Sequence, residues 1–277
     1  MSQLRLLILG AHPDDGEFHA GGIASAYARQ GHRVRVVSVT NGAAGHHFRE
    51  PSELAERRRR EASRAARVIG AESEVWEFPD GALEPSLEVR ARVIRCIREY
   101  QPDLVLTHRL CDYHPDHRSV GQAVQDASYL VTVPLVQPEV PHLKQDPVVA
   151  YMPDLFTKPT PLQPDVVLDI GPWIDTIVEM LACHESQVFE WLPFNRGREC
   201  PADTPGAERP SAERMAWLRD WYAERAAARA DRFRSALCQR YGQAAGERVQ
   251  YAEAFEISEY AAPLDEQARE RLFGFLN

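Results

Sequence analysis

Two short loops of the sequence combine histidine with adjacent carboxylates, the residue types that bind divalent metal ions. The first loop, residues 10–17, reads Gly-Ala-His-Pro-Asp-Asp-Gly-Glu, and the second, residues 112–117, reads Asp-Tyr-His-Pro-Asp-His. A catalytic zinc typically keeps three protein ligands and leaves a fourth position for water. His12, Asp15 and His117 match that number and that mixture of ligands. We therefore predict that these three side chains form a divalent-metal site, with zinc as the expected ion.

The other polar side chains of the two loops predict how such a site would work. A bound metal ion lowers the pKa of its water and polarises a substrate carbonyl. Because adjacent residues of a turn point in different directions, Asp14 can face that water while Asp15 faces the metal, which makes Asp14 the predicted general base. We expect His114 to stabilise an oxyanion or to protonate a leaving amine, with Asp116 holding its ring in place.

Each loop on its own also has a purely structural explanation. His, Pro and Asp suit strand-to-helix turns and helix caps, so neither loop alone requires a metal. The pair favours a metal site because the first loop follows a predicted strand over 4–9 and the second follows one over 104–107. In open parallel sheets, ligands bind beyond the carboxyl ends of the strands.

Strand and helix patterns alternate along the chain and predict an α/β fold, a Rossmann-like parallel sheet flanked by helices. The predicted strands cover 4–9, 33–39, 73–78, 104–107, 151–156, 166–170 and, at the end, 249–257. The predicted helices cover 20–30, 53–69, 87–100, 119–130, 173–185 and 214–241, and an exposed loop is expected over 195–210. We expect a catalytic domain over 1–190 and a mostly helical C-terminal extension over 191–277 that packs on it.

Composition limits the classes of partner. The 277 residues carry a formal net charge of −9, which argues against nucleic-acid binding because that needs a basic face. No run of about 18 apolar residues exists, so we expect no membrane span. The first apolar run is interrupted by Arg5, so we expect no signal peptide. Five scattered cysteines without a C-x-x-C pair indicate reduced thiols and a cytoplasmic protein.

Ala-His-Pro-Asp-Asp near the N-terminus, followed about a hundred residues later by His-Pro-Asp-His, resembles the PIG-L/LmbE-like family of zinc-dependent N-acetylglucosaminyl deacetylases. The resemblance covers about the first 190 residues. It implies a Rossmann-like sheet and hydrolysis of an N-acetyl group from a 2-acetamido sugar or sugar conjugate. It also implies His12, Asp15 and His117 as metal ligands, Asp14 as the base and His114 as its electrostatic partner, and it hints at a homo-oligomer.

The resemblance further marks substrate-binding residues, each of which has a local alternative. Arg58 is implied as a sugar-binding arginine, although the run 57–60 alone would indicate solvated charges. Asp80 matches a position that contacts a sugar hydroxyl, but it also suits a Pro-Asp-Gly turn. His184 would line the pocket, or would be favoured simply at a helix C-terminus. Asn41 would touch substrate, unless it only forms an Asn-Gly turn.

Several alternatives stay open at this point. A His/Asp/His site also accepts Fe²⁺, Co²⁺ or Mn²⁺. The expected substrate is a small acetamido sugar or glycoconjugate, but the chain could instead be an amidase acting on a thiol-sugar conjugate, or a non-catalytic sugar- or metal-binding module. Many relatives carry a glutamate directly after the two aspartates, where this chain has Gly16 followed by Glu17. For His19, packing or capping is the favoured interpretation. For His108, which directly follows the fourth strand, a structural role is favoured over contact with a metal ligand.

Overall fold

The computed structural model describes residues 3–203 and 209–276, and their centre is a seven-stranded sheet. The strands are β1 (Arg5–Gly10), β2 (Arg33–Thr40), β3 (Glu72–Phe78), β4 (Leu104–Thr107), β5 (Val148–Tyr151), β6 (Val166–Asp169) and β7 (Ala252–Ile257). They lie in the order β3-β2-β1-β4-β5-β7-β6. The first five are parallel neighbours, while β7 runs antiparallel to both β5 and β6.

Helices connect the strands and cover the sheet. They are α1 (Asp15–Arg29), α2 (Pro51–Val68), α3 (Leu87–Tyr100), α4 (Pro115–Ala127), α5 (Ile174–Ala182), α6 (Leu192–Arg196), α7 (Ala212–Arg232), α8 (Arg234–Tyr241), α9 (Gln243–Gly246) and α10 (Glu266–Phe273). Helix α3 has the predicted bounds. Helices α1 and α4 begin earlier than predicted, so each metal loop leads directly into a helix.

The central strands are buried on both faces, which explains their unbroken apolar sequence. In β1, Leu6 and Ile8 face one core, which also contains side chains of α1, α5 and α7. Leu7 and Leu9 face a second core with side chains of α3 and α4. Because burial on both faces fixes the register of β1, the start of the loop that follows it is fixed as well.

The predicted fold class is confirmed, with one difference in strand direction. The sheet is mixed because β7, from the C-terminal part of the chain, inserts between β5 and β6. Ala150 pairs with Ile257 on one side, and Val166 pairs with Phe255 on the other. The C-terminal extension is therefore part of the central sheet as well as a helical cover, and the domain boundary at residue 190 stays a prediction.

Other differences are local. The strand predicted over 151–156 lies at 148–151, because Pro153 has no amide hydrogen for a sheet ladder. The single helix predicted over 214–241 is divided at Phe233. In the loop predicted over 195–210, residues 204–208 lie outside the described residues. None of the described helices combines the length and the apolar character needed to cross a membrane.

Candidate metal centre and active site

The two metal loops meet at one edge of the sheet. Strands β1 and β4 are hydrogen-bonded neighbours, and Leu9 lies opposite Thr107 in the ladder. Both strands run in the same direction, so the segments that follow them leave the sheet side by side. This topology brings His12 and His117, which are 105 residues apart in sequence, into direct contact.

Three side chains predicted as metal ligands form a close triangle. His12 Nδ1 lies 3.2 Å from His117 Nε2, and each of these nitrogens lies 3.4 Å from a carboxylate oxygen of Asp15. Tetrahedral ligands about 2.0 to 2.1 Å from zinc are about 3.3 Å from one another. The two imidazole lone pairs face each other and need a cation or proton between them. The triangle therefore fits a zinc-sized ion, and the roles of the three ligands stay a prediction.

Three overlapping donor sets surround this triangle among the described residues. Donor atoms lie within 4.8 Å of one another in each of the sets His12, His114 and His117; Asp15, His108 and His117; and His12, Asp80 and Asp116. The favoured prediction for His108 is a structural role, yet its Nε2 lies 3.1 Å from Asp15 Oδ2. The signal for His108 was its position directly after β4, at the edge where ligands bind.

Asp116 has a different partner from the predicted one. Its carboxylate does not hold the ring of His114: Oδ2 lies 3.2 Å from His12 Nε2. The same carboxylate accepts hydrogen bonds from the amides of Gly81 and Leu83. These amides follow β3 and fix the carboxylate behind His12. A carboxylate on the far nitrogen of a ligating histidine orients the ring and raises its basicity.

Asp80 also lies behind His12, where we had expected a sugar contact. Its Oδ1 is 3.2 Å from His12 Nε2, and its Oδ2 accepts a hydrogen bond from the amide of Ala44. Burial raises its pKa, but the hydrogen bond and charge of His12, the charge of Arg58 and the amide of Ala44 together outweigh burial and lower the pKa of Asp80 to about 2. Asp80 is therefore an ionised partner of a proposed metal ligand.

Asp112 plays the corresponding role for His117 and was not singled out from the sequence. Its Oδ1 lies 3.1 Å from His117 Nδ1, on the side of the ring that faces away from His12. Burial raises the pKa of Asp112, but the hydrogen bond and charge of His117, the amide of His114 and the charge of His108 together outweigh burial and lower the pKa to about 2. The signal that could have identified it is its place in the second loop.

Asp14 combines backbone strain with burial. Its φ of 135° is rare for a residue with a Cβ, and such strain clusters at functional sites. Burial raises the pKa of the Asp14 carboxyl to about 6, although the positive charge of Arg58 opposes this. A carboxylate that titrates near neutral pH is suited to accept a proton from water and to return it.

Arg58 supports Asp14 and is not part of a solvated face. It is 2 % exposed, so the interpretation as a solvated charge is wrong. Nη2 donates to the carbonyl of Pro13 and lies 3.4 Å from Asp14 Oδ1, while Nη1 donates to the carbonyl of Gly42. Arg58 thus connects the loop after β1 to the loop after β2, and its sugar-binding role stays a prediction.

His114 is the N-cap of α4. Its Nδ1 accepts a hydrogen bond from the amide of Asp116, which assigns the ring hydrogen to Nε2. The ring lies 4.5 Å from that of His12, measured between centroids. Burial and then the charges of His12 and His117 lower the pKa of His114. The neutral ring can therefore donate a hydrogen bond through Nε2, as an oxyanion stabiliser must.

His184 and Asn41 each have a local partner, and their substrate-binding roles stay predictions. His184 is fully buried, with Nε2 3.4 Å from Glu17 Oε1. Burial lowers its pKa, but Glu17 and then Asp14 outweigh burial and raise it. The Asn41 side chain accepts from the amide of Ala43, as the turn alternative predicted.

The fold and the site together define an α/β protein with a His/Asp donor cluster beyond the carboxyl ends of its parallel strands. Residues 7–128, which contain both loops, match the family model described as PIG-L: GlcNAc-PI de-N-acetylase. This match confirms the resemblance implied by the two motifs for the part of the chain that contains both of them.

Known relatives include more than one kind of enzyme. The chain is 27 % identical to the 4-oxalmesaconate hydratase of Pseudomonas putida over 70 % of this chain and 78 % of that protein. It is 29 % identical to a probable N-acetyl-alpha-D-glucosaminyl L-malate deacetylase of Bacillus anthracis over 48 % of this chain and 62 % of that protein. The crystal structure of GalB, a 4-carboxy-2-hydroxymuconate hydratase from Pseudomonas putida KT2440, shares the fold, with a TM-score of 0.71, 21 % identity and coverage of 95 % and 99 %.

Proposed function

We propose that the protein is a zinc-dependent N-deacetylase that removes the acetyl group from a 2-acetamido sugar or sugar conjugate. The observation that carries the proposal is the triangle of His12, Asp15 and His117, with the buried carboxyl of Asp14 beside it. The family and its deacetylase relatives support the reaction type. Fe²⁺, Co²⁺ and Mn²⁺ would suit the same ligands.

The residues of the site have distinct tasks in amide hydrolysis. A metal ion held by His12, Asp15 and His117 would supply an acidified water and polarise the amide carbonyl. Asp14 takes a proton from the attacking water as the new carbon–oxygen bond forms. His114 donates a hydrogen bond from its Nε2–H group to the oxyanion. When the carbon–nitrogen bond breaks, the proton on Asp14 passes to the leaving amine, and the products are acetate and the free amino sugar.

The test measures acetate release and bound metal together. Asp14→Asn should keep the metal and lower kcat by about 10²- to 10⁴-fold, the usual contribution of a general base. Asp15→Ala should lose both metal and activity. Asp220→Asn, on the exposed face of α7, is the matched control and should change neither. Full activity of Asp14→Asn on every acetamido sugar of a panel would refute the proposal.

A second candidate function is hydration of a carbon–carbon double bond. It is favoured by the similarity to the 4-oxalmesaconate hydratase. That similarity extends over more of this chain than the similarity to the probable N-acetyl-alpha-D-glucosaminyl L-malate deacetylase. The same groups serve this reaction: Asp14 takes a proton from water as oxygen adds to one carbon, and a protonated group adds hydrogen to the other. Loss of the ultraviolet absorption of an unsaturated dicarboxylate, without acetate release from any sugar, would favour it.

The same substrate panel separates the remaining alternatives. Cleavage of a thiol-sugar conjugate without release of acetate from simple acetamido sugars would indicate the amidase. Binding of metal and sugar without any product in a single-turnover experiment would indicate a non-catalytic module. The non-catalytic outcome is not expected, because Asp14 and His114 both lie beside the proposed ligands.

A further inference from the structure

A group of arginines from the C-terminal part of the chain lies close to the metal loops. Arg196 ends α6, while Arg225 and Arg229 lie one turn apart on α7. Within residues 3–203 and 209–276, no carboxylate forms an ion pair with any of the three. Burial, and then the charges of Arg229 and Arg196, lower the pKa of Arg225 to about 10. Such unpaired positive charge is unfavourable unless an anion joins it.

The arginines contact the first helix just after its metal ligand. Arg229 is buried, and its Nη2 donates to the carbonyl of Phe18, three residues after Asp15. The guanidinium of Arg225 lies 5.4 Å from the centre of the Phe18 ring. Two guanidinium nitrogens, Nε of Arg225 and Nη1 of Arg229, are buried and have no hydrogen-bond partner in the part of the chain that the structure describes.

Arg225 and Arg229 lie near two residues that border the proposed ligands. The ring of His19 lies 6.4 Å from that of His117, and Arg229 Nη2 lies 3.4 Å from His19 Nδ1. Burial first, then the charge of Arg229 and to a smaller degree that of Arg225, lower the pKa of His19. Tyr113 is 68 % exposed, its ring is 5.4 Å from that of His117, and the charge of Arg225 acts on its hydroxyl.

We infer that Arg225 binds a carboxylate carried by the substrate, so that the enzyme prefers acidic conjugates to neutral ones. A planar guanidinium with an unused nitrogen matches the two oxygens of a carboxylate. The acids of the site, Asp14, Asp15 and Asp112, would be balanced by histidine and the proposed metal, whereas Arg225 keeps an uncompensated charge. The inference names a substrate class for the proposed deacetylase. Its kinetic test rests on that proposed function.

The kinetic test uses a matched pair of substrates. One is a 2-acetamido glucoside with a carboxymethyl aglycone, and the other is its neutral methyl ester. Arg225→Gln should lower kcat/KM for the acid by about 10- to 100-fold through KM, as expected for a lost charge-assisted hydrogen bond, and leave the ester unchanged. Arg225→Lys should lose part of the preference. Arg232→Gln, exposed on the same helix, should behave as wild type.

Binding of succinate to metal-replete protein, measured by calorimetry at fixed ionic strength, provides a second measurement that needs no turnover. Arg225→Gln should bind succinate at least about tenfold more weakly than wild type and Arg232→Gln. If no variant releases acetate but this difference is found, the deacetylase proposal fails and the carboxylate site stands. The carboxylate site would be overturned if Arg225→Gln lowered kcat/KM equally for the acid and the ester, or left the preference for the acid unchanged. It would also be overturned if the wild type preferred a glucoside with a phosphonomethyl aglycone to the carboxymethyl one.

Discussion

His12 is the residue on which the outer contacts of the site converge. Its Nδ1 faces His117 and Asp15, while its Nε2 faces both Asp80 and Asp116. A neutral imidazole carries one hydrogen, so the two carboxylates assign it to Nε2 and leave Nδ1 free to bind a cation. The ligand role of His12 thus depends on acids that come from two other loops.

We expect Asp116→Asn to weaken metal binding by about 10- to 100-fold, the usual effect of removing an outer carboxylate from a ligating histidine. The oxygen of the new carboxamide can still accept from one of the two amides, Gly81 or Leu83, so the fold should be retained. Metal titration of the purified protein measures the effect. Asp126→Asn, farther along α4, is the control. Equal affinity in the two variants would contradict the role assigned to Asp116.

The sequence could name the residues of the site more easily than their partners. His12, Asp14, Asp15, His114 and His117 lie in two motifs, and the structure brings them together. The contacts of Asp80 and Asp116 could not be read from spacing, because both depend on how the loop after β3 folds over the second motif. Hydrogen bonds from backbone amides hold these two carboxylates in place, and backbone amides leave no pattern in the side-chain sequence.

At the scale of elements, the loop after β2 determines where Arg58 lies. A Cβ on Gly42 would lie 2.8 Å from the Arg58 guanidinium, and Gly42 also has a φ of 69°. Gly70 has nearly the same φ, 70°, but nothing lies within 4 Å of its Cβ position. The two glycines therefore share a positive φ, but only buried Gly42 contacts Arg58, whereas Gly70 is exposed.

We expect Gly42→Ala to lower kcat by at least about tenfold, because a displaced Arg58 no longer supports Asp14, and small misplacements of catalytic groups are costly. Gly70→Ala should lower the free energy of unfolding by about 1 kcal/mol and leave kcat unchanged. Steady-state kinetics and thermal unfolding of both variants check this. Equal kcat values in the two variants would show that Arg58 does not depend on this loop.

Helix α1 is a second element that depends on a distant residue. It is kinked at Ala20, and beyond the kink the amides of Gly22 and Ile23 donate to the carboxylate of Glu253 in β7. Glu253 is fully buried, and burial raises its pKa to about 7, although these two hydrogen bonds oppose the rise. The carboxylate acts as an N-cap for the second half of the helix.

This arrangement makes stability depend on pH in a defined direction. Because the folded pKa of Glu253 lies above the ordinary 4.5, its contribution is largest below about pH 4.5 and is lost as pH rises to about 7. The expected loss is about 3 kcal/mol. Glu253→Gln resembles the protonated acid and cannot titrate.

Urea unfolding of wild type and Glu253→Gln between pH 5 and 8 isolates this effect, since other titrating groups are common to both proteins. The free energy of unfolding of wild type should fall relative to that of the variant as pH rises, with most of the change between about pH 5 and 7. A constant difference across this range would mean that Glu253 does not change its protonation in the folded protein.

At the scale of the whole molecule, local patterns predict the parallel half of the sheet and fail for its other edge. Alternating strand and helix signals predict β1 to β4 as parallel strands joined by crossovers. Two of these crossovers connect neighbouring strands, while the third, from β3 to β4, passes across β2 and β1. The strand at 252–257 was also predicted, but its neighbours were not. It pairs with β5 and β6, 83 to 107 residues earlier, and such long-range antiparallel pairing has no local signal.

Because β7 lies inside the sheet, we expect a chain that ends at residue 190 not to fold cooperatively, contrary to an independent catalytic domain over 1–190. The cut leaves β5 and β6 without their shared neighbour and removes the α7 side chains that pack against Phe18, including Trp221 and Tyr222. A chain ending at residue 258 keeps β7 and α7, and should unfold cooperatively with reduced stability.

Circular dichroism during urea unfolding, together with metal titration, distinguishes the two chains. A cooperative, metal-binding 1–190 chain would show that the sheet edge, Glu253 and the arginines of α7 are additions to an autonomous site. Loss of both properties in that chain alone would show that the C-terminal segment is required to form the site.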